Sequence, residues 1–61
     1  MTAGEMARLA KKNGCELVRH GSKHDIWRSP KTGKESQIPR HWSQELPTGT
    51  ANRIKKDLGL Q

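Results

Sequence analysis

Sixty-one residues are enough for one small domain and exclude a multidomain enzyme. Only 30% of the chain is hydrophobic, and Ala3, Ala7, Ala10 and Ala51 bury little area each, so the core is thin and a bound partner or a dimer would add stability. Twelve Lys and Arg against six Asp and Glu give 12 − 6 = +6, spread from Arg8 to Lys56, which describes a basic folded surface and points to a polyanionic partner.

Thr2 followed by Glu5 has the form of a capping box, and Met6, Leu9 and Ala10 fall at helical spacing, so a helix is predicted over Ala3 to Asn13. Gly14 is placed to end it in a left-handed turn, and Arg8, Lys11 and Lys12 occupy its solvated side. From Cys15 to His20, the residues Cys15, Leu17 and Arg19 alternate with Glu16, Val18 and His20, which predicts a strand. Gly21 and Ser22 make a tight connection. A second strand runs from Lys23 to Arg28, with Trp27 on the face opposite Ile26 and His24, and Ser29 to Gly33 form a turn. The third strand, Lys34 to Ile38, ends at Pro39, which has no N–H for a ladder. Arg40 to Pro47 reads as a loop. Thr48 or Thr50 then caps a last helix bearing Ala51, Ile54 and Leu58, with Gly59 at its C-terminal end and Leu60 supplying an apolar contact. The order α-β-β-β-α packs most economically as an α+β fold, a three-stranded antiparallel sheet with both helices on one face and the other face open, in a single domain over residues 1–61.

The single cysteine, Cys15, excludes a disulfide framework, and His20, His24, Asp25 and Cys15 lack any zinc-site spacing, so no metal and no cofactor is expected. The first ten residues carry Glu5 and Arg8 without an apolar signal core, and no stretch is long and apolar enough to span a membrane, which leads to the expectation of a cytoplasmic protein. Gly21, Gly33 and Gly49 are not spaced as a phosphate-binding loop, and Ser22 after Gly21 is turn chemistry rather than a nucleophile. Three histidines remain for acid–base work near neutral pH. His24 opens the second strand directly after the turn, held rigidly yet accessible beside Lys23. His20 ends the preceding strand, and His41 follows Arg40 in the loop. Of the two tryptophans, Trp27 is expected to pack in the core, and Trp42 either packs or stacks on an unpaired base.

Taken together, Lys12-Asn13-Gly14, Glu16-Leu17-Val18-Arg19, Gly21-Ser22-Lys23-His24, Ile38-Pro39-Arg40-His41, Pro47-Thr48-Gly49-Thr50 and Ile54 through Leu60 resemble the HicA toxin family, over Leu9 to Leu60. The resemblance implies a double-stranded-RNA-binding-domain-like fold, a ribosome-independent mRNA interferase activity, and neutralisation by a cognate HicB antitoxin. It places the catalytic histidine at His24, with Gly21 and Ser22 in the turn that presents it. Many members carry two histidines after the serine, where this chain has Lys23 and His24.

The expected chemistry is a metal-independent cut in which the RNA 2′-hydroxyl attacks the adjacent phosphate while His24 moves a proton. His41 and, after it, Lys23 are the candidates for the second acid–base or supporting group. Lys23, Arg40, Lys31 and Lys34 are expected to bind phosphates of the mRNA substrate near His24. Two readings from other classes stand beside this one. A non-catalytic RNA-binding module of the same fold would bind without product, and a small interaction protein would dock an acidic partner through its basic face.

Overall fold

The computed structural model describes residues 1–60, in the order α1 (Ala3–Lys12), β1 (Glu16–His20), β2 (His24–Arg28), β3 (Glu35–Pro39) and α2 (Thr48–Leu58). The capping box at α1 is complete. The Glu5 N–H donates to Thr2 Oγ1 at 3.2 Å, and the Thr2 N–H donates to Glu5 Oε1 at 2.8 Å. These bonds favour the carboxylate and hold the Glu5 carboxyl below its ordinary value, the backbone bond from Thr2 having the largest effect. Gly14, at φ 81°, turns the chain out of the helix as expected.

The start of α2 departs from the expectation. Neither Thr48 nor Thr50 caps it; both lie inside the helix, and no side chain bonds its first turn. Pro47 enters with φ −56° and ψ 147°, and its carbonyl already accepts the Ala51 N–H at 2.9 Å, so the rigid proline sets the entry that a threonine cap was expected to set. At the other end Gly59 adopts φ 63°, the Gly59 N–H reaches the Lys56 carbonyl and the Leu60 N–H reaches that of Lys55, while Leu60 packs on the core.

The strands form one antiparallel sheet in the order β1-β2-β3. One side faces the helices. Its core joins Trp27 of β2, Ile38 of β3, Met6 of α1, Ile54 and Leu58 of α2, Cys15 and Leu46. All four alanines are buried in it. Small residues here let the helices approach closely, so their contribution is fit rather than area.

One irregularity decides which residues share a face. Leu17 pairs with Trp27 and Arg19 pairs with Ile26, so Val18 is an extra residue in a β-bulge. Simple alternation would put Arg19 with Leu17 on the helix side. The bulge instead turns Arg19 to the open side, with His24 and Ile26, and returns His20 to the helix side opposite Asp25. The helices rest against the β3 side of the sheet, which leaves β1 exposed along its length, Leu17 and Val18 included.

Candidate active site on the open face of the sheet

β1 and β2 are joined through Gly21, Ser22 and Lys23, with the Gly21 N–H bonded to the His24 carbonyl at 2.7 Å. A Cβ on Gly21 would stand 2.8 Å from that same oxygen, closer than side chains tolerate, so glycine is required here by the approach of the two backbones. The turn is braced from outside by Arg40. Its Nη2 donates to the Ser22 carbonyl at 2.6 Å, and its Nε lies 3.8 Å from Asp25 Oδ1.

His24, half-buried, therefore sits at a fixed point on the first position of β2. On the open face it shares a shallow depression of about 310 Å³ with Arg19, Gly21, Ser22, Ile26 and Gln37. Arg19 makes no ion pair among the described residues. Arg28, at the far end of the same face, bonds Glu16 at 2.9 Å and lies 3.9 Å from Glu35. The Glu16 hydrogen bond, followed by the charges of Glu16 and Glu35, raises its already high pKa. Of the two arginines on this face, the one without an acidic partner is thus at the end that holds His24, where Lys23 is also exposed.

The other sequence-predicted residues scatter. His41 is exposed in the loop after β3, near this end because the next-door Arg40 N–H approaches the Lys23 carbonyl at 3.5 Å, but no hydrogen bond joins its ring to His24 among the described residues. Lys31 and Lys34 are not brought to His24. Both belong to the connection after Arg28, at the opposite end of β2, and the Lys31 stem lies beside Gly59 at the end of α2. They were expected close by because they lie near strands in sequence, yet an extended strand carries its two ends apart at about 3.3 Å per residue. Sequence reasoning missed Arg19, whose face is hidden by the bulge at Val18. No three His, Cys, Asp or Glu side chains are grouped to hold a metal ion among the described residues.

His20 lies behind this site, on the helix side, with Nδ1 2.7 Å from Asp25 Oδ1. Trp27 is buried, as expected. Trp42 does two things at once: its ring rests on Gly4 of α1, where an added Cβ would come within 2.9 Å, and 59% of the residue stays exposed.

The family model for "HicA toxin of bacterial toxin-antitoxin" matches residues 3–60. The chain belongs to the HicA toxin family. The toxin is also similar to a solved structure described as the crystal structure of the E. coli HicAB toxin-antitoxin complex, at 30% identity and a TM-score of 0.77, with 97% of this chain and 98% of that chain covered. No curated protein matches the sequence. No helix among the described residues of this HicA toxin is long and apolar enough to cross a membrane.

Proposed function

We propose that this HicA-family toxin is a metal-independent endoribonuclease that cuts mRNA at the open face, with His24 as its catalytic residue. The observation that supports this most directly is the rigid placement of His24 in a depression with the unpaired Arg19, beside the exposed Lys23. The substrate's 2′-oxygen bonds to phosphorus as the bond to the 5′-oxygen breaks, and His24 takes the proton from the 2′-hydroxyl or gives one to the leaving oxygen. Arg19 and Lys23 offset charge building on the phosphoryl oxygens. Lys23 or His41 completes the proton cycle, and Arg40 holds the turn while adding to the field felt by the RNA. Lys31 and Lys34 act at longer range.

The match to a HicAB complex supports a HicB-type antitoxin as the protein partner, acting on a cytoplasmic toxin. An antitoxin that covers the open face competes with RNA, so the complex is expected not to cut.

The test is incubation of single-stranded RNA with the pure chain in excess EDTA, beside a His24→Ala control. Expected are fragments ending in 2′,3′-cyclic phosphate and 5′-hydroxyl from the wild type, and a loss of about 10²-fold or more in the variant. Cleavage by His24→Ala at the native rate overturns the assignment of His24. Binding without product by the wild type identifies an RNA-binding module instead.

A further inference from the structure

The side of the sheet that faces the helices carries a second opening, where neither helix covers β1. It is a notch of about 510 Å³, bordered by Leu17, His20, Asp25 and Arg40, with Lys11 at its rim and Trp42 as one wall. Three features of it are out of place in a purely structural surface. Trp42 leaves more than half of its surface to solvent in a chain with only two tryptophans, while Gly4, by lacking a side chain, gives its ring a flat seat. Two cations, Lys11 and Arg40, stand on the rim. A carboxylate lies inside. Asp25 meets His20 and Arg40 through Oδ1, which leaves Oδ2 for a donor from outside.

We infer that this notch is a subsite for one unpaired nucleobase of the RNA, stacked on Trp42 with its N–H edge toward Asp25, next to the nucleotide cut at His24. The inference rests on the nuclease reading above. An aromatic plane beside cations is the usual arrangement for a single-stranded base and its phosphate. The Asp25 carboxylate argues against an acidic peptide, which it would repel, and for a neutral ring with hydrogen-bond donors. Continuity with the open face is supplied by Arg40, which lines the notch and also holds the Ser22 carbonyl, two residues before His24. An RNA strand passing over that end of the sheet can thus leave a phosphate on one side and a base on the other.

The experiment uses an RNA oligonucleotide that the wild-type chain cuts at one bond. A 2′-deoxy nucleotide at that bond removes the attacking hydroxyl, so binding is measured without cleavage. A single abasic residue is then moved through the positions flanking the bond. At one flanking position, loss of the base is expected to weaken wild-type binding about tenfold. Trp42→Ala is expected to weaken binding of the intact strand by a similar factor and to lose nothing further at that position, while Trp42→Phe retains part of the effect. Abasic substitutions that cost the wild type nothing at any flanking position overturn the subsite with no variant required. Equal loss in Trp42→Ala on intact and abasic strands overturns it also. A Trp42→Ala chain that binds RNA normally but binds the antitoxin weakly reassigns the notch to protein contact. The nuclease reading stands in all three cases and fails only when the wild type yields no cut oligonucleotide.

Discussion

The two connections that flank β2 both carry basic residues, yet the first is half the length of the second and they are built for different ends. The Gly21–Lys23 turn is held by backbone crowding and by a guanidinium reaching in from beyond β3, and its product is the fixed position of His24. The Ser29–Lys34 turn is held from inside. Ser29 is 1% exposed, its hydroxyl accepts the Lys31 and Thr32 N–H groups, and Thr32 Oγ1 donates to the Asp57 carbonyl of α2 at 2.7 Å. Its lysines point to no histidine, and its bonds tie the sheet to a helix. Positive charge alone therefore does not mark a site; the lysines of both turns lack an acidic partner among the described residues, and what distinguishes the first is that its charge stands beside a group able to move a proton.

The strongest way to break this contrast is Gly21→Ala. The new Cβ must push the His24 carbonyl aside by some tenths of an ångström and strain the bond it accepts from Gly21, so kcat/KM is expected to fall by about tenfold or more, since a misplacement of about 1 Å at a reacting group costs on the order of 10²-fold, with a smaller loss in urea unfolding. A large loss of stability with full specific activity would show that the turn supports the fold instead. Ser29→Ala is the mirror case. It strips two N–H groups of an exposed turn of the buried acceptor that holds them, with an expected cost of about 1 kcal/mol in denaturant unfolding and no change in the activity of the folded fraction.

Charge sharpens the comparison at smaller scale. Arg19→Gln is expected to lower the salt dependence of RNA binding by about one phosphate, a slope change near 0.7 for single strands. Lys31→Gln combined with Lys34→Gln is expected to change that slope by less, despite removing twice the charge, and the opposite ranking would mean that the RNA runs along both turns. The smallest effect lies outside both. The Glu5 carboxyl is held low in the folded chain, so its contribution to stability is present above the ordinary glutamate value and is lost as pH falls through the folded value. Thr2→Ala is expected to cost about 1 kcal/mol at neutral pH and to reduce the acid sensitivity of unfolding.

Much of this was legible in the residues themselves. Thr2 with Glu5, Gly14 and Gly59 announce helix ends through local chemistry, and Trp27 declares its burial by the parity of a five-residue strand. The place of His24 at the start of β2 was legible from the turn before it. The α2 start misled because threonine and proline both fit a helix entry, and only the fold shows that Pro47 occupies it. Arg19, the notch and the separation of Lys31 and Lys34 from His24 were hidden for one reason. Each depends on where elements lie in space: the pairing of β1 with β2 for Arg19, the seating of Trp42 on α1 for the notch, and the opposite ends of the extended β2 for the lysines.

Val18, the one unpaired residue of β1, has a consequence for chain length. Deleting it would remove the bulge yet leave Leu17 opposite Trp27, Arg19 opposite Ile26 and His20 opposite Asp25, whereas closing the bulge with Val18 retained would bring His20 round beside His24 and send Arg19 to the helix side. In this toxin the set of side chains on the open face is decided by the bulge as much as by residue type, so a chain one residue shorter at this point keeps the same faces, while one of equal length without the bulge has them exchanged from position 19 onward.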